Sequence, residues 1–163
     1  MTFREHRNAY AIDPEATDFR HQRIDGSGVG GMDESGIAQN QKYRLPLPPH
    51  PIASRQAHKV LEWALSEWCV HGPCADDAHI VLGELTTNAL MHSVGVFTLA
   101  LDLRENQILI EVWDCTDATP DVTLPDALAV NGRGMFLVDA LSKEWGVRPE
   151  ERGGKTVWAV LPR

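Results

Sequence analysis

Leu82-Gly83-Glu84-Leu85-Thr86-Thr87-Asn88-Ala89-Leu90-Met91-His92 sorts into two sides when wound as a helix. At about 100° per residue, Leu82, Leu85 and Ala89 continue an apolar arc begun by Ala78 and Val81, while Glu84, Asn88 and His92 form a narrow polar stripe beside it, with Asp77 in line. Polar residues aligned on the border of a buried face are placed to meet something in a cleft. A carboxylate and an amide oxygen one turn apart suit a hydrated Mg²⁺, which prefers oxygen ligands and keeps its waters. A solvated helix flank accounts for the same pattern, and this helix alone does not decide between them.

The surroundings place that helix in a domain. It runs from about Ala75 to Ser93 and is closed by Gly95. An earlier helix, from about Ile52 to Val70, repeats apolar residues at Ala57, Val60, Leu61, Ala64, Leu65 and Trp68, and His71-Gly72-Pro73 ends it. Before it, Tyr43-Arg44-Leu45-Pro46-Leu47 reads as an edge strand, since proline is confined to sheet edges. Downstream, Phe97, Leu99, Leu101 and Leu103 alternate with more polar residues, as do Ile108, Ile110 and Val112, with a hairpin turn expected over Arg104–Gln107. Residues from about Thr116 to Asn131 carry Pro120, Pro125 and several acids; a loop of that length inside a compact domain is usually a functional lid. A third helix is expected from Gly134 to Trp145, then strands near Trp145–Glu150 and Lys155–Leu161. The order β-α-α-β-β-loop-α-β-β predicts an α+β fold, a two-layer α/β sandwich with the helices on one face of a mixed β-sheet.

Residues 1–40 stand apart as a flexible polar N-terminal segment, short of aromatics and glycine-rich around Asp25–Gly36. Gly26, Gly28 and Gly31 satisfy G-x-G-x-x-G formally, but no apolar strand precedes them and no amphipathic helix follows, so the spacing carries no phosphate-binding geometry. Residues 41–163 are expected to be a single folded domain.

The formal charge of −8 argues against direct nucleic-acid binding, which needs clustered Lys and Arg to neutralise phosphates, and favours a basic protein surface as partner. No apolar run approaches a membrane span, so the expectation is a cytoplasmic protein without membrane contact. Cys69, His71 and Cys74 lie close in sequence, but the ligands that would complete a metal site are missing, and a helix end in a reducing compartment explains them.

Two further features bear on chemistry. Alternation puts Asp114 on the face of Ile108, Ile110 and Val112, where a carboxylate needs a hydrogen-bond donor; the exocyclic amine of adenine is one, and a cap at the strand end is the other account. Asn131-Gly132-Arg133-Gly134 opens the third helix, where glycines admit a close approach and the helix start attracts phosphate. Gly154-Lys155-Thr156 is not a P-loop ending: Pro149 stands where the first glycine belongs, and a strand follows where a helix is required.

Together Glu84, Asn88 and the Asn-Ala-x-x-His extension, Asp114, Gly132-Arg133-Gly134 and Gly154-Lys155-Thr156 resemble the N, G1, G2 and G3 boxes of the GHKL (Bergerat-fold) superfamily. The run from Gly132 to Gly146 followed by Gly154–Ala159 is similar to its branch of anti-sigma-factor serine kinases and actinobacterial ATP-binding proteins. The resemblance covers about residues 43–163. It implies ATP and Mg²⁺ as cofactors, with Asn88 coordinating the metal and Asp114 binding the adenine amine. His92, Arg133 and Lys155 would join the nucleotide site, Gly132 and Gly134 would hinge a lid over the phosphates, and Thr156 would reach adenine. Glu84 would be the general base of a serine/threonine kinase whose partner is a sigma factor or an anti-sigma antagonist. A non-catalytic, nucleotide-gated protein-binding module is the alternative. A homodimer through the sheet or first helix is a further implication. The family's first glycine box has glycines two and four residues after its Asp; here Cys115-Thr116-Asp117-Ala118 follow, which implies a tighter or weaker pocket. The last strand is apolar on both of its faces, Lys155/Val157/Ala159/Leu161 and Thr156/Trp158/Val160, so its orientation stays open.

Overall fold

The computed structural model of the protein describes residues 41–116, 134–151 and 153–163. These residues form five strands and three helices: β1 (Gln41–Leu47), α1 (Ile52–Glu67), α2 (Pro73–His92), β2 (Phe97–Arg104), β3 (Gln107–Asp114), α3 (Gly134–Leu141), β4 (Glu144–Pro149) and β5 (Lys155–Pro162). The expectations for residues 1–40, Gly132 and Arg133 lie outside them.

The strands make one sheet in the order β1-β2-β3-β5-β4. Every pairing is antiparallel, which corrects the mixed sheet expected from the element order. β3 and β4 do run the same way, but β5 lies between them and is antiparallel to both. The prolines of β1 are tolerated because β1 is an edge strand.

One face of the sheet carries Tyr43, Leu45 and Leu47, then Phe97, Leu99 and Leu101, then Ile108, Ile110 and Val112, then Val157, Ala159 and Leu161, and meets the helices. α1 answers with Ala57, Leu61, Ala64 and Leu65, and α2 with Ala78, Val81, Leu82, Leu85 and Ala89. Each fully buried Leu, Ile, Val or Phe contributes roughly 1.5–3 kcal/mol. Thr86, the polar residue in that arc, is satisfied within its own helix, its hydroxyl donating to Leu82 O at 2.7 Å. The other face mixes apolar side chains, among them Leu109, Trp113, Trp158 and Val160, with charged ones. Arg148 bridges Glu111 at 3.3 Å and Glu150 at 3.1 Å there, and Arg104 and Lys42 converge on Asp102.

The helices are joined by a Schellman-type turn. Val70 N–H donates to Leu65 O at 2.9 Å and Cys69 N–H to Ser66 O at 3.1 Å, which satisfies the last carbonyls of α1. Pro73 then begins α2 at a position where its missing N–H costs nothing. α2 therefore crosses the middle of the sheet, over β3 and β5, with α3 packed against its flank. No helix among the described residues is long and apolar enough to cross a membrane.

Candidate functional site

The polar stripe of α2 runs along its border with α3. Glu84 is half-buried there, and its carboxylate lies against Gly134, the first residue of α3; a β-carbon at 134 would collide with Glu84 Oε2. A carboxylate at a helix N-terminus sits at the positive end of the dipole, which favours it. Asn88, one turn further along, is half-buried on the same stripe, and Asp77 one and a half to two turns earlier is half-buried too. His92, one turn beyond Asn88 on the same stripe, is exposed at the last turn of α2.

At the carboxyl end of β3, Asp114 continues the inward stripe and is 1% exposed. Its backbone turns outward at Cys115, and the carboxylate accepts from the residue two places on: Thr116 N–H at 2.8 Å and Thr116 Oγ1 at 2.5 Å, both on Oδ1. This is the Asx turn that Asp forms where a strand gives way to a loop. A third donor reaches the same oxygen, the Lys155 ammonium, at 3.0 Å. Oδ2 is buried and has no hydrogen-bond partner among the described residues. A buried carboxylate oxygen without a donor costs more than about 1–3 kcal/mol, so this atom is suited to accept an N–H from a ligand. The strand-end cap expected for Asp114 is therefore present, and it engages one of the two oxygens.

β5 is oriented by its register with β3. Asp114 pairs with Lys155 and Val112 with Val157, so Lys155, Val157, Ala159 and Leu161 face the helices. Thr156 turns to the opposite face, where it is buried and its hydroxyl donates to Glu150 Oε1 at 2.5 Å. Its expected place beside adenine is therefore corrected: side-chain alternation separates it from Asp114 by the thickness of the sheet. Lys155 holds the inward position instead and spends its ammonium on protein oxygens. Thr116 and Glu150 did not figure among the expected residues. The Asp-x-Thr spacing of an Asx turn signals the first; nothing local in the sequence signals the second, since it depends on the β4–β5 register.

Gly154 makes the junction between β3 and β5 possible. It has φ +81°, and a β-carbon on it would strike Asp114 O and come within 3.0 Å of Cys115 Cα. Gly132 and Arg133 are not among the described residues; Gly134, which is, stands at the start of α3 with Glu84.

An open groove of about 340 Å³ lies elsewhere, between the end of α1 and the start of α2, lined by Glu62, Leu65, His71 and His79 among others. None of Glu84, Asn88 or Asp114 lines it. The candidate side chains lie on the α2 stripe, at the α3 start and at the β3–β5 ends, which together make the candidate cleft.

A family model described as the histidine kinase-like ATPase domain matches residues 47–161. That span holds every side chain placed in the cleft. No curated protein matches the chain.

Proposed function

The chain belongs to the histidine kinase-like ATPase domain family, and from that premise we propose that it is a Mg·ATP-binding regulatory protein that phosphorylates a serine or threonine of a partner protein. The partner in this reading is a sigma factor or an anti-sigma antagonist. The observation that carries the nucleotide part is the buried, unpartnered Oδ2 of Asp114, an acceptor aimed inward at the end of β3 and matched to the 6-amino group of adenine. The oxygen donors Glu84 and Asn88 fit a hard cation better than a soft one, and bound Mg²⁺ would supply neutralisation of the phosphate charge.

The chain's own residues then divide the work. Asp114 fixes the base. Asn88 lends an amide oxygen to the hydrated metal. Glu84, held at the α3 start, accepts the proton of the attacking hydroxyl. Positioning and charge neutralisation do most of the catalysis in phosphoryl transfer, so Asn88 should matter at least as much as Glu84.

One observation favours the second reading, a nucleotide-gated module without phosphoryl transfer. Half of the Asp114 carboxylate is already occupied by Lys155 and Thr116, and the chain has Thr116 and Ala118 where the family's first glycine box has its glycines. Binding would then order the lid and, through it, a partner surface. Capture of partners with and without Mg·ATP, followed by phosphosite mapping, separates the two. In the kinase reading the wild type transfers phosphate to a Ser or Thr, and Glu84→Ala binds ATP without transfer. Wild-type protein that retains nucleotide and partner yet transfers nothing over long incubation leaves the module.

A further inference from the structure

Lys155 is buried beside the carboxylate that reads the base, and its hydrogen bonds define what it does there. Its ammonium lies 3.0 Å from Asp114 Oδ1, 2.8 Å from Thr116 Oγ1 and 3.2 Å from Thr116 O. A lysine has three N–H donors, and these three acceptors use them all. The side chain is 3% exposed. Thr116 closes the ring by donating both its N–H and its hydroxyl to the same Oδ1. Among the described residues, every donor to this carboxylate goes to Oδ1.

We propose that Lys155 is a positioning residue for base recognition and not a ligand of the nucleotide. With Thr116 it pins Oδ1, fixes the plane of the carboxylate, and leaves Oδ2 as one oriented acceptor. That acceptor selects a base carrying an amino group at its 6-position and opposes one carrying a 6-oxo group, whose oxygen would face another oxygen. The buried cation also compensates the charge of the buried Asp114 carboxylate. Gly154 is what lets Lys155 reach: only a residue without a β-carbon admits the start of β5 so close to the Asp114 backbone. This inference rests on the reading of Asp114 as the base-binding residue.

The test measures selectivity, because general damage to the fold weakens both ligands alike. Calorimetric titration of the full chain with ADP and with IDP, both with Mg²⁺, gives the ratio of their affinities. The wild type should prefer ADP. Lys155→Met and Thr116→Val should each lower the preference, Lys155→Met by roughly tenfold or more, the scale of a lost charge-assisted contact. Thr116→Ser, which keeps the hydroxyl and the N–H, should restore it. If Lys155→Met does not fold, the Val and Ser variants at 116 decide. A wild-type preference for ADP that persists unchanged in the variants overturns the positioning role and leaves the Asp114 reading intact. A wild type that binds both nucleotides equally, or neither, overturns the base reading and this inference with it.

Discussion

The carboxylate of Glu84 occupies the place that a side chain at residue 134 would need. The tip of a glutamate is flexible, so Gly134→Ala should fold: the collision falls on the Glu84 carboxylate, Oε2 first and Cδ next, and not on backbone. Melting should therefore stay close to wild type. Phosphoryl transfer should nevertheless fall by roughly tenfold to a hundredfold, the scale of a base misplaced by about 1 Å. Equal transfer rates in the two proteins would show that the position of the Glu84 carboxylate does not limit the reaction.

Asn88→Ala should abolish Mg²⁺-dependent nucleotide binding while leaving the fold intact, because Asn88 is half-buried on the cleft stripe and contributes nothing to the apolar arc. Titration with Mg·ATP and with metal-free ATP measures it. Unchanged Mg·ATP affinity would remove Asn88 from the site.

Gly154→Ala should be severely destabilising. Its φ of +81° is one that L side chains rarely adopt, and its contacts are backbone atoms that cannot swing away. Left-handed strain and overpacking together cost about 2–5 kcal/mol, to be read from the urea midpoint. A shift within error would mean that β3 and β5 separate cheaply at this end.

Cys69→Gly should stabilise. Cys69 is exposed and holds φ +53° at the end of α1, where helices prefer glycine. Relief of left-handed strain, less the greater unfolded-state entropy of glycine, leaves a gain of about 0.5–1 kcal/mol. Thermal melting of the two proteins checks it, and a lower midpoint for the glycine variant would contradict the account.

Stability should depend on pH through His58 and His79, whose Nδ1 atoms are 3.0 Å apart across α1 and α2, with rings stacked. One ring must donate and the other accept, so the contact needs at least one neutral ring. Burial, and secondarily His79, lower the pKa of His58. The unfolded chain then binds more protons as pH falls through about 6.5, and stability drops on the acid side. The urea midpoint should be level above about pH 7.5 and decline towards 5.5. His58→Gln should flatten that decline; an equal decline in the variant would assign it to other groups.

Much of this fold could be read from single elements. The α2 arc, the alternation of β2 and β3 and the edge position of β1 each rest on a local period or a proline. Misreadings came where a local pattern ran on past a boundary. Leu137, Leu141 and Trp145 keep a helical spacing past the end of α3, but the chain turns after Leu141, short of the Trp145 end that the sequence predicts, and Trp145 pairs from β4 with Ala159. The hairpin turn expected over Arg104–Gln107 is present, with those two residues paired across a two-residue loop. The site divided in the same way. Glu84, Asn88 and Asp114 follow from periodicity within one element. Lys155 and Thr156 could not be told apart, since both faces of β5 are apolar and only its register with β3 chooses between them.

The position of β5 has a consequence for how the molecule comes into being. Of the strands described it is the last to be synthesised, yet it lies between β3 and β4. Until residues 155–162 have left the ribosome, β4 has no hydrogen-bonded neighbour and β3 presents an open edge. Asp114 meanwhile has no cation beside it. The helical layer and the β1-β2-β3 meander can gather early from near-neighbour contacts, but the Asp114–Lys155 corner must wait for an insertion that joins distant parts of the chain, the slow kind of contact in folding. A nascent chain stalled before Lys155 would carry Glu84, Asn88 and Asp114 and still lack the ion pair that Asp114 makes in the folded domain.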